Sequence, residues 1–103
     1  MGTSAQLDFE FLSKEAKLVA SDVATENKLY LAPEALPAVD TMVEERKEDI
    51  ARTWRGLDIW KRHVRHVSTA VAEIYKSRKV QKITDPRELV KTSRSVYCVY
   101  PYD

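Results

Sequence analysis

Apolar residues recur every seven positions through the second third of the chain, at Val43, Ile50, Leu57, Val64 and Val71, and a second row follows three positions on, at Trp60, Val67 and Ile74. This is the a/d spacing of an amphipathic helix seam, and it predicts one long helix over residues 40–79. Trp54 and Tyr75 widen the apolar face. Arg46 and Thr53 fill the second row early on, so the seam is well formed only from Ile50 onward. Gly56 is the point at which the helix can break. A continuous helix of this length would measure about 60 Å, long beside the ~13 Å radius of gyration of a compact chain of about 100 residues. Two pieces meeting at Gly56 could instead pack as an antiparallel hairpin. Glycine inside a helix costs only about 1 kcal/mol, and the heptad register runs unbroken across Gly56, so the pattern favours continuity.

The flanks carry shorter signals. Residues 7–12, LDFEFL, alternate apolar and acidic side chains, which predicts a short strand with Leu7, Phe9 and Phe11 on one face. Ser13 is a competent N-cap, and Ala16, Val19, Ala20 and Val23 then repeat at helical spacing, so a helix is expected from there to Glu26. A longer helix starting at Ser4 is the competing reading. Pro33 and Pro37 bias their predecessors away from the α region and make residues 32–38 a connector. Beyond Lys79 the chain reads as extended. Asp85, Pro86 and Glu88 then form a capping-box-like helix start, and VYCVY at 96–100 reads as a strand. The expected fold is mostly α and one domain over residues 1–103: a long amphipathic helix with Gly56 as its candidate break, a shorter N-terminal helix and short terminal strands. A small α+β domain is the structural alternative.

Composition supports helices. The chain has two glycines and four prolines in 103 residues, too few turn-formers for a many-stranded sandwich or barrel. No apolar run approaches the ~20 residues that span a bilayer, and a single cysteine, Cys98, cannot form an internal disulfide. The expectation is an intracellular protein, cytoplasmic or nuclear, with no membrane association.

Charge changes the picture more than composition does. The formal net charge is +1, but residues 1–39 carry −3, residues 40–60 carry −2, residues 61–82 carry +6 and residues 83–103 are neutral. Within the basic stretch Lys61, Arg62 and Arg65 form one group, and Lys76, Arg78, Lys79 and Lys82 form another about 22 Å further along a helix. The nearly uncharged HVSTAVAE between them makes two patches and not one continuous stripe.

Catalytic chemistry finds no foothold in the pattern. His63 and His66 stand at i and i+3, a spacing two metal ligands can use, but the cations around them oppose a divalent ion and no acidic or thiol ligand lies within a turn. Solvated or partner-facing histidines are expected, with no metal and no cofactor. Cys98 sits among apolar residues that would raise its pKa and leave it inert. Gly2 and Gly56 alone cannot build a phosphate-binding loop. Glu44, Glu45, Glu48 and Asp49 alternate with Arg46 and Lys47 as a solvated helix face.

The expected function is therefore a non-enzymatic assembly or adaptor subunit. The seam residues Ile50, Trp54, Leu57, Trp60, Val64, Val67, Val71, Ile74 and Tyr75 are more numerous than the apolar positions of the small N-terminal helix that would cover them. That surplus suggests a homo-oligomer or a partner protein. Lys61, Arg62, Arg65, Lys76, Arg78, Lys79 and Lys82 would address an acidic surface. The rival expectation is a small nucleic-acid-binding protein using the basic 61–82 region, with Tyr97, Tyr100 and Tyr102 as candidate stacking residues.

Overall fold

Asp8 decides how the chain begins. Its backbone is extended (φ −90°, ψ 95°) and its side chain accepts a 3.1 Å hydrogen bond from the Phe11 N–H, so it caps a helix that starts at once. The computed structural model describes residues 7–84 and position 91. Its elements, in chain order, are α1 (Phe9–Glu26), β1 (Tyr30–Leu31), a 3₁₀ turn (Pro33–Ala35), α2 (Pro37–Glu45), α3 (Lys47–Thr53), α4 (Leu57–Ser77) and β2 (Lys82–Ile83). The fold is mostly α. The expected strand at 96–100 and the helix start at Asp85 lie outside the described residues.

Two expectations are corrected. Residues 7–12 do not form a strand: α1 begins within LDFEFL, at Phe9, burying Leu12 and Ser13 and turning Phe11 outward. Ser13 is not a cap but an interior residue, and its hydroxyl donates to Asp40 Oδ1 across to α2. The other correction concerns the 40–79 helix, which is three helices. At Arg46 (φ −111°, ψ 8°) the chain turns from α2 into α3, and α3 ends at Trp54 in an extended conformation. Gly56 then takes φ 113° and ψ 163° before α4 begins. That region is open essentially to glycine alone, so the break falls where the sequence permits it.

The heptad register survives these breaks because all three pieces bury their apolar residues in one core. Val39, Met42 and Val43 from α2, Ile50 from α3, and Trp60, Val64, Val67, Val71, Ala72 and Tyr75 from α4 pack with Leu12, Ala16, Ala20 and Ala24 of α1. Small alanines on α1 let the two long helices approach closely, and the valines of α4 fill the space above them.

α1 and α4 run side by side in the same direction. Near their starts, the Trp60 indole N–H donates to the Leu12 carbonyl at 3.2 Å. Near their ends, Lys76 Nζ donates to Asn27 Oδ1 at 3.3 Å. Each helix closes in the same way. In α1 the Leu29 N–H reaches the Ala24 carbonyl (2.8 Å) and the Lys28 N–H the Thr25 carbonyl (3.0 Å); in α4 the Val80 N–H reaches Tyr75 (3.1 Å) and the Lys79 N–H Lys76 (3.0 Å). These are two Schellman motifs, with Lys28 (φ 62°) and Lys79 (φ 59°) in the left-handed position. The chains leaving the motifs then pair as parallel strands, Tyr30 beside Lys82 and Leu31 beside Ile83.

Gly56 lends itself to a direct check. A Cβ built there meets nothing within 4 Å, so a substitution is penalised by backbone conformation alone. Gly56→Ala is expected to lower stability by about 1–3 kcal/mol, read as a shift of the urea midpoint. Gly56→Asn should lose about as much, because asparagine's tolerance of positive φ is confined to the left-handed helical region and φ 113° with ψ 163° lies outside it.

Candidate functional site

The seam residues are placed first by burial. Ile50, Trp60, Val64, Val67, Val71 and Tyr75 are interior, and Trp54, Leu57 and Ile74 are half-buried against the same core. This corrects the premise that the apolar face exceeds what the chain can cover. The missing cover comes from α1 over its full 18 residues and from α2, α3 and the β1 turn. Among the described residues the large apolar side chains left exposed are Phe11, Leu18, Tyr30 and Val80, and none of these belongs to the seam.

The first basic group is largely satisfied within the fold. Lys61 Nζ lies 3.2 Å from Glu15, and the Arg65 guanidinium pairs with Glu26, so both tie α4 to α1. Exposed pairs of this kind contribute up to about 1 kcal/mol each. Arg62 points to solvent. The histidines part company. His66 is exposed, whereas His63 is 4% exposed and packs on the Trp60 ring, centroids 5.9 Å apart and tilted by 36°. His63 is thus not the solvated or partner-facing residue expected.

The second basic group is brought to one end of the molecule, where α1 and α4 stop together. Lys76 is in the last turn of α4, with Glu73 at 4.0 Å as well as Asn27. Arg78 lies over the Tyr75 ring, 5.7 Å from its centroid. Lys79, Val80 and Lys82 follow, all exposed. The parallel pairing adds two residues that the basic 61–82 pattern does not contain: Lys28, from the α1 turn, and Tyr30, 56% exposed and in register with Lys82. The period-two alternation of the pair turns Tyr30 and Lys82 outward together and Leu31 and Ile83 into the core. Glu26 and Glu73 at this end are engaged by Arg65 and Lys76, and Glu34 stands in the 3₁₀ turn after β1.

A polar group lies away from this end, where α1 meets α2. Asp40 accepts from Ser13 and pairs with Lys17 Nζ at 3.1 Å. The Ser13 hydroxyl holds the Asp40 carboxyl below its ordinary value; partial burial opposes this and Lys17 reinforces it. The cluster joins two helices and presents no nucleophile with a base. No group of three or more His, Cys, Asp or Glu side chains suited to a metal ion occurs among the described residues. No helix among them is long and apolar enough to cross a membrane. The chain matches no protein-family model, and no curated protein or solved structure matches it either.

Burial pushes the His63 pKa down to about 4, with the Arg46 and His66 charges adding to the effect. In the unfolded chain His63 titrates near its ordinary value of about 6.5. The folded state therefore resists a proton that the unfolded state accepts, and stability is complete above about pH 6.5 and falls as the pH drops toward 4. The loss attributable to this residue approaches ~3 kcal/mol. Urea unfolding at pH 7 and pH 4.5 should show this decline, and His63→Gln, which cannot charge, should flatten it.

Proposed function

We propose that the protein is a non-enzymatic binding module that holds an acidic partner on the end where α1 and α4 terminate. The observation that carries this reading is the pair of lysines in left-handed conformation. Lys28 and Lys79 occupy the Schellman position that glycine ordinarily fills, because a side chain there costs about 1–2 kcal/mol. Attraction to the helix carbonyls recovers about 0.3–1 kcal/mol for a cation near a C-terminus. A lysine within the last turn obtains that gain without the left-handed penalty, as Lys76 does in α4. Folding alone thus gives no reason for lysine at both positions, and both project from the same end beside Lys82 and Arg78. An acidic partner supplies the reason. The partner meets the basic end, not the seam, which the fold uses internally.

The conformational penalty makes the test specific. Replacing both lysines (Lys28→Gly with Lys79→Gly) should leave stability equal or higher, since glycine suits the backbone, while weakening binding. Two labelled probes, a poly-glutamate peptide and an oligonucleotide, are titrated at about 50 mM salt and again at higher salt. The expected result is salt-sensitive binding to at least one probe, reduced about tenfold or more by the double substitution. Failure of the intact protein to bind either probe, or unchanged binding by the double variant, overturns the reading.

A further inference from the structure

Among the five cations at this end stands an aromatic side chain that is largely exposed. Tyr30 is 56% exposed, and its side chain makes no hydrogen bond or ring contact among the described residues. Burying it would remove apolar area at no cost to the chain: its strand neighbour Leu31 already fills the core, and Tyr30 alternates away from it. In the parallel pair the side chain beside it is Lys82, on a strand about 4.8 Å away. Lys28 precedes Tyr30 by two residues and Lys79 precedes Lys82 by three, each projecting from a left-handed turn at the head of its strand. Val80, also exposed, lies between Lys79 and Lys82 ahead of the second strand and adds an apolar ledge.

A ring flanked by Lys28, Lys79 and Lys82, which make no ion pair among the described residues, matches a ligand with alternating planar apolar groups and negative charges. An acidic peptide provides the charge but has no use for the ring. Duplex nucleic acid provides phosphates but keeps the faces of its bases stacked. A single strand offers both, because every base has a free π-face and every linkage a phosphate. We infer that the outer face of β1 and β2 takes single-stranded nucleic acid, one base stacking on Tyr30 while adjacent phosphates pair with Lys28, Lys79 and Lys82. This inference rests on the basic end being the binding surface, and narrows its partner.

The shared chemistry of base and phosphate belongs to RNA and DNA alike, so the test uses both. Labelled oligo-uridine and oligo-thymidine strands of about 12 nucleotides, a duplex of equal length and a poly-glutamate peptide are titrated against the intact protein at about 50 mM salt. One or both single strands should bind more tightly than the duplex and the peptide, the tighter of the two naming the natural source. Tyr30→Ala and Tyr30→Leu should weaken single-strand binding by about tenfold, Tyr30→Phe should retain it, and all three should fold normally because the ring is exposed. Lys82→Gln should reduce the salt slope by about 0.7. Preference for the duplex or the peptide, or indifference to Tyr30→Ala, overturns the single-strand inference. If poly-glutamate binding persists and depends on Lys28 and Lys79, the acidic-partner reading survives that failure; if nothing binds, both fall.

Discussion

The parallel packing of α1 on α4 is the constraint from which the rest of the molecule follows. Neighbouring helices joined by a short loop run antiparallel, so two that run the same way need a connection long enough to bring the chain back to its starting end. Here that return is made by the 3₁₀ turn, α2 and α3. The contact is pinned at both ends, by the Trp60 indole on the Leu12 carbonyl and by the pairing of Tyr30–Leu31 with Lys82–Ile83. Strands of two residues would not persist alone in water. They hold because Leu31 and Ile83 lie in the core and because both Schellman motifs aim the departing chain the same way.

The sequence made the helical class and most of the core legible, since burial imposes its period wherever a helix faces the interior. Val64, Val67, Val71 and Tyr75 are interior, as their spacing indicates. The same rule explains the failure over residues 40–79. Val43, Ile50 and Leu57 keep a heptad register because each of three helices faces one common core, so periodicity reported the shared interior and not the continuity of the backbone. At Gly56 the positive φ prevailed over the pattern, while the break at Arg46 has no glycine or proline beside it to mark it in the sequence. At LDFEFL, alternation over six residues was outweighed by one local contact, the Asp8 carboxylate on the Phe11 N–H.

The candidate site was legible in part for similar reasons. Lys76, Arg78, Lys79 and Lys82 are visible as charge, but Lys28 and Tyr30 stand some fifty residues earlier and join them only through the strand register. A signal did exist. Asn27-Lys28-Leu29 and Arg78-Lys79-Val80 have the same form, a polar cap, a lysine and an apolar residue, and each closes a helix with the same pair of hydrogen bonds. Lys61 and Arg65 misled in the other direction, because Glu15 and Glu26, which absorb their charge, lie on a helix distant in sequence.

Helices packed antiparallel cancel their backbone dipoles, whereas α1 and α4 add theirs. The carbonyl ends together amount to roughly one negative elementary charge at the end that bears the lysines, with a matching positive charge at the opposite end. The side chains are arranged in the contrary sense: Asp8 and Glu10 open α1 and Asp58 opens α4, while the cations gather where both helices stop. At short range the backbone mutes the basic end, so a ligand touching it feels less attraction than a count of lysines suggests.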